Sequence, residues 1–253
     1  MLAEVAVRRR QLWTPAAEGD GRCLTVVDDP VGVEPCGTVC LAHGLTGDRS
    51  GPAELLAQLA AELCRRCAVR VVRFDARGSA DSGGTFEATT FAGMADDFVS
   101  VARAHTVPGL PLVAAGISIG GVPAVQAATR LAGDGPLRLG GVLLLSSDLI
   151  EGVRFAAEGR TAIRGGEFHL PPSFFRERER IRPRGELMAL GVPSALVYGS
   201  ADTKLADAAA WFAARGTEVT PVECDHLFES QRSRRVLFDA CAAFVRRTTG
   251  TEG

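Results

Sequence analysis

The sequence predicts an α/β domain built on a mainly parallel central sheet flanked by helices. Short runs rich in Val and Leu alternate with longer segments of helical period, the rhythm of strands joined by crossovers that cover the faces of a sheet. The chain has 253 residues, 46% of them hydrophobic, which suffices for one sizeable core. No internal repeat divides it, so a solenoid or propeller is excluded.

In chain order, weak strand runs at 4–10 and 23–27, separated by a Gly-containing turn, predict an antiparallel hairpin at the sheet edge. Stronger runs follow at 38–42, 69–74, 112–115, 142–145 and 195–198, with a weaker one at 218–221. Leu55, Leu56, Leu59 and Leu63 share one helical face, as do Leu237, Cys241, Phe244 and Val245 near the carboxyl end. Residues 110–128 approach the length of a membrane span, but Pro111, Gly116, Gly120, Gly121 and Pro123 break them into a strand, a sharp turn and a helix. Residues 148–186 interrupt the rhythm with Gly-Gly, Pro-Pro, four phenylalanines and the charged run RERERIRPR. So long a connection carries structure of its own, and it divides the chain into a core of residues 1–147 and 187–253 and a lid of residues 148–186.

Composition narrows the function. A net charge of −2 supplies no basic field, so nucleic acid is not an expected partner. Arginine makes up 27 of the 28 basic residues, Lys204 being the exception, and asparagine is absent, a bias of GC-rich bacterial coding. Seven scattered cysteines fit buried thiols in a reducing compartment, Cys64-x-x-Cys67 included, since that pair ends an amphipathic helix and does not follow a strand. The amino-terminal MLAEVAVRRRQLW places arginines after an apolar patch, the reverse of a secretory signal, and a cytoplasmic location away from membranes is expected. Neither a metal-ligand cluster nor a dinucleotide fingerprint is present, so no metal and no cofactor are implied.

The strongest local signal is Gly116-Ile117-Ser118-Ile119-Gly120-Gly121, set between a predicted strand and a helix. A G-x-S-x-G in that setting is a nucleophile elbow, a turn so tight that its flanks must be small and that lifts the serine hydroxyl above the sheet edge. A hydroxyl attacks a carbonyl only when a base removes its proton, so a histidine and a carboxylate are required downstream. His226, in the loop between the last strand and the last helix, fits the base; His105 at a helix end and His169 in the lid fit peripheral roles. Asp202, after the strand at 195–198, fits the acid, with Asp148 and Asp225 as competitors. An oxyanion hole needs two donors, and the amides of Ile119 and of Leu45, in His43-Gly44-Leu45-Thr46-Gly47, are available. The glycine-rich loop 75–84 with Arg77 packs beneath this site.

The succession HGLTG, FDARGSADSGG, GISIGG, GSADTK and CDHLF resembles the α/β-hydrolase superfamily over nearly the whole chain from Thr38. HGLTGDRS, DSGGTFE and the insert after the sixth strand of the main sheet look like the cinnamoyl and feruloyl esterase branch, near the serine aminopeptidase-like hydrolases. Ile117 stands where that family often has His. The resemblance implies an α/β-hydrolase fold with Ser118 as nucleophile, Asp202 as acid, His226 as base, and Leu45 and Ile119 as oxyanion donors. The reading is a serine hydrolase of small or medium carboxylic esters, with His43, Phe155, Phe168, Phe174 and Phe175 around the substrate. A thioesterase acting on an acyl thioester uses the same triad, and an acetate-eliminating, lyase-like enzyme of a polyketide or tetronate pathway would use the histidine as base. A non-catalytic binding module is disfavoured by the intact set of three. The sequence leaves the oligomeric state open, a homodimer included.

Overall fold

The computed structural model describes residues 5–16, 21–133, 137–151 and 161–250. Each strong apolar run is a strand: β3 (Thr38–Ala42), β4 (Arg70–Phe74), β5 (Pro111–Ile117), β6 (Arg138–Leu145) and β9 (Ser194–Gly199), joined by the weaker β10 (Glu218–Val222). These six run parallel in the order β4-β3-β5-β6-β9-β10. The edge hairpin β1 (Val7–Pro15) and β2 (Arg22–Pro30) extends the sheet to eight strands, with β2 antiparallel to both β1 and β4.

Side chains alternate across a pleated strand, so each run feeds two cores. Cys40, Leu112, Ala114, Val142, Leu144 and Leu196 face α2 (Phe91–His105), α3 (Gly121–Ala132) and α6 (Thr203–Ala213). Val39, Leu41, Val113, Ala115, Leu143 and Val197 face α1 (Leu55–Cys67) and α7 (Gln231–Thr249). Both predicted helical faces are buried here: Leu55, Leu56, Leu59 and Leu63 on α1, and Leu237, Cys241, Phe244 and Val245 on α7. Burying a Leu contributes about 2 kcal/mol, and these two layers fix the height at which the loops leave the sheet. All seven cysteines are free thiols, and burial pushes Cys64 up to about 12 and Cys67 up to about 11.

The hairpin departs from the expected bounds for a physical reason. β1 is largely exposed, so its apolar pattern is weak, and it runs five residues beyond the expected end at residue 10. β2 continues through Asp28 and Asp29, which are buried yet paired: Arg9 Nε donates to Asp28 Oδ1 at 2.6 Å, and Arg70 Nε to Asp29 Oδ1 at 2.6 Å. Charges buried as pairs are invisible to a hydrophobic count.

Between β6 and β9 the chain forms a small antiparallel hairpin of β7 (Thr161–Ile163) and β8 (Phe168–Leu170), then α4 (Pro172–Arg180) and α5 (Pro183–Ala189). The expected boundary at residue 186 falls inside α5. Phe174 stacks on Phe91 with centroids 4.6 Å apart, so α4 is welded to α2. No helix among the described residues is long and apolar enough to cross a membrane.

Candidate active site

The turn after β5 is forced by its glycines. A Cβ on Gly116 would overlap the carbonyl of Gly120, one on Gly120 would overlap the carbonyl of His43, and one on Gly121 would overlap Ser147 Oγ. Ser118, between them, takes φ +53°, a left-handed conformation that a non-glycine residue adopts at a cost of about 1 kcal/mol or more. The strain stands the hydroxyl at the carboxyl edge of the sheet, between the loops after β3 and β10.

Those loops bring the partners. Gly199 ends β9 against the carbonyl of Asp225, where any Cβ would overlap it, and Ala201 N donates to Cys224 O at 3.0 Å. This contact sets the loop after β9 beside the loop after β10. His226 Nδ1 lies 2.7 Å from Asp202 Oδ2, and its Nε2 lies 3.0 Å from Ser118 Oγ. A carboxylate only accepts, so Nδ1 carries the proton and Nε2 is left to accept from the serine hydroxyl. Asp202 Oδ1 meanwhile accepts from Lys204 N at 3.1 Å as the cap of α6. Phe228, fully buried, anchors the histidine loop, and Arg234 Nε donates to its carbonyl at 3.0 Å. The two competing carboxylates are occupied locally: Asp148 Oδ1 accepts from Ile150 N and Asp225 Oδ1 from Leu227 N.

The loop after β3 faces the serine. A Cβ on Gly44 would lie 3.5 Å from Ser118 Cβ, and Leu45, the next residue, lines the same cavity as Ser118. Arg49 anchors this loop from behind, donating to buried Asp75 through its amide at 2.7 Å and through Nη1 at 2.6 Å. Arg77, expected beneath the site, donates to Asp97 through its amide at 2.8 Å and Nε at 2.6 Å. The cavity above Ser118 has a volume of about 370 Å³, and its wall includes Leu45, Thr46, Pro52, Ile117, Arg164, His226 and Leu227.

Several expected substrate contacts have other roles. His43 is on the wall, but Ala76 N donates to its Nε2 at 3.1 Å, so its proton sits on Nδ1 and goes to Gly44 O at 2.7 Å. Burial holds its pKa below the ordinary imidazole range. Both ring nitrogens are thereby committed to the backbone, and the residue braces the loop instead of offering a ligand contact. Phe174 and Phe175 lie in the core and pack edge to face on one another, while Phe168 packs on Phe86 with centroids 4.9 Å apart. None of the three lines the cavity: Phe174 and Phe175 are drawn from α4 into the core, where an aromatic side chain gains more from burial than on a solvated wall, and Phe168 is half-buried on β8. Phe155 lies outside the described residues. His105 bridges to Thr14 Oγ1 at 2.8 Å, far from the serine in role.

Arg164, at the turn of the β7–β8 hairpin, was not among the residues expected at the site. Only the Gly165-Gly166 pair after it marks a turn, and nothing in the local pattern says which way the turn leans. Among the described residues no group of three metal-ligating side chains gathers anywhere.

Residues 39–247 match the profile of the Alpha/beta hydrolase family. Among solved structures the chain is similar to Est1E from Butyrivibrio proteoclasticus with bound ferulic acid, at 18% identity and a TM-score of 0.79, over 94% of this chain and 99% of that one. It is similar to an esterase domain of a Rhodothermus marinus protein, at 19% identity and 0.69, over 95% and 98% of the two chains. A bacterial heroin esterase matches at 18% identity and 0.68, over 96% and 84%. Comparison with curated protein sequences gives no match.

Proposed function

The chain belongs to the alpha/beta hydrolase family, and from that premise we propose that it is a serine hydrolase cleaving a small or medium carboxylic ester through an acyl-enzyme. The observation that carries the reading is His226, bridging Ser118 Oγ at 3.0 Å and Asp202 Oδ2 at 2.7 Å. Esterases among the similar structures support an ester substrate.

In this mechanism Ser118 Oγ attacks the ester carbonyl carbon while His226 Nε2 takes its proton. Asp202 holds the ring in the accepting tautomer and stabilises the imidazolium. The amides of Leu45 and Ile119 receive the oxyanion, each such donor being worth about 3 kcal/mol of barrier. Collapse expels the alcohol, which takes the proton from His226. Water then repeats the sequence and releases the acid. The insert of residues 148–186 acts as a cap over the cavity and takes part in substrate choice. A thioester carbonyl is open to the same attack, and only the leaving group differs.

A fluorophosphonate probe tests the nucleophile: Ser118 alone is labelled, and labelling of another serine overturns the assignment. Turnover in ¹⁸O-labelled water tests the reaction. Hydrolysis through an acyl-enzyme places one labelled oxygen in the acid. Elimination, in which His226 removes a C–H proton, a C=C bond forms and the alkyl C–O bond breaks with its electron pair departing on the carboxylate, returns unlabelled acid and an alkene, and that outcome refutes the hydrolase reading.

A further inference from the structure

Among the described residues, the wall of the cavity above Ser118 carries one arginine and no lysine. Arg164 stands at the turn of the β7–β8 hairpin with φ +51°, followed by Gly165 at +68° and Gly166 at +94°. Glycine adopts such a turn freely and arginine does so at a cost, a sign that the side chain is kept for its chemistry. Arg164 Nε donates to Thr46 Oγ1 at 3.1 Å, and Thr46 Oγ1 in turn donates to Leu45 O at 2.6 Å. The guanidinium is thus tied to the loop that holds the proposed oxyanion donor.

That bond uses Nε, and among the described residues the Nη groups of the fork have no hydrogen-bond partner. Among the described residues no carboxylate pairs with Arg164, whereas Arg49, Arg73 and Arg77 are paired with Asp75, Asp28 and Asp97. The carboxylate on the cavity wall, Asp48, has Oδ1 occupied by the amides of Ser50 at 2.6 Å and Gly51 at 3.1 Å. The remaining titratable groups on the wall are His43, whose nitrogens are committed, and His226. Among the described residues the cavity therefore holds the serine hydroxyl and a planar cation with which no carboxylate forms an ion pair, within a space of about 370 Å³ that one small molecule fills.

We propose that Arg164 binds a free carboxylate carried by the substrate, so that the enzyme takes half-esters of short dicarboxylic acids in preference to neutral esters of the same length. This rests on the ester-hydrolase reading above and adds the substrate class. A guanidinium pairs two-pronged with a carboxylate, and a pinned Nε limits the freedom lost on binding. Arg164 is solvent-exposed, so screening holds the preference to about tenfold.

The test is binding to the Ser118→Ala protein, which separates recognition from turnover. Ligand-observed NMR titrations compare monoethyl succinate with diethyl succinate. We expect the half-ester to bind about tenfold more tightly, the preference to shrink in 0.5 M salt, and Ser118→Ala/Arg164→Gln to lose it while keeping its folded spectrum. Equal affinities, or a preference that survives Arg164→Gln, overturns the proposal. A preference for butyryl phosphopantetheine over butyryl pantetheine, with none for the half-ester, gives the guanidinium to a phosphate and also overturns it. If the half-ester preference is found but the wild-type protein hydrolyses neither succinate ester, the hydrolase reading fails and the carboxylate site stands.

Discussion

A serine hydroxyl is a weak nucleophile until its proton has a destination, and the 3.0 Å and 2.7 Å contacts of His226 provide one. Ser118→Ala and His226→Ala are each expected to lower kcat by about 10⁶-fold, and Asp202→Ala by about 10⁴-fold. Asp148→Ala should leave kcat within a few-fold of wild type, since Asp148 caps its own turn at Ile150; steady-state kinetics on a nitrophenyl ester checks the four together. A larger loss from Asp148→Ala than from Asp202→Ala would move the acid. These three residues were legible because each follows a strand in fixed order, and order along the chain survives folding. His43 was not, since its role depends on an amide 33 residues away at Ala76. Arg164 was not, since a polar turn carries no periodicity to say what it faces.

Elements place the site by close backbone approach, and here single methyl groups decide. Gly199→Ala would drive a Cβ into the carbonyl of Asp225 and push the histidine loop off the serine. Its expected effect is loss of fluorophosphonate labelling, with a fall in stability of about 3 kcal/mol or more by urea unfolding, as backbone has no rotamer with which to yield. Labelling at the wild-type rate would show that the loop has slack. The insert is docked by a second device: Glu177 on α4 accepts from the amides of Phe91 and Ala92, both at 2.7 Å, and so caps α2. A carboxylate on a helix N-terminus is worth about 1 to 2 kcal/mol, so Glu177→Ala should raise hydrogen exchange across α4 and the first turn of α2 without touching β5. Exchange unchanged in α4 would assign the docking to Phe174 on Phe91 alone. The charged run RERERIRPR, at residues 176–184, shows in sequence only its charge and not what its side chains meet. In the structure its Glu177 works as a cap, and its last residue, Arg184, donates to Asp148 O at 2.9 Å. Main-sheet strands were legible from their apolar runs, whereas β7 and β8, three residues each, are too short for any period to appear.

At the scale of the molecule, two apolar layers enclose a set of ionisable groups, and their burial makes stability depend on pH. Burial holds His43 below the ordinary imidazole pKa, and burial together with the charges of Arg70 and Arg10 does the same for His105. Both are neutral in the native state and titrate at about 6.5 once unfolded. Below that value the unfolded chain takes up protons that the native state refuses, so the histidine contribution is complete above about pH 7.5 and falls as pH drops through 6.5 toward the native values. Each histidine contributes a slope of at most about 1.4 kcal/mol per pH unit. Asp97 and Glu186, raised by burial, act in the opposite sense, because the native state takes up their protons more readily than the unfolded chain. Asp29, held low by Arg70 and Arg10 against the cost of its own burial, loses its contribution only in more acid solution. Urea unfolding at pH 8, 7, 6 and 5.5 should therefore give a plateau followed by a decline. His105→Gln, whose amide can keep the bond to Thr14, should flatten that decline by up to one histidine's share. A wild-type profile that stays level or rises from pH 7 to 5.5 would mean that the buried carboxylates outweigh the histidines, and an unaltered slope in His105→Gln would leave His43 as the source.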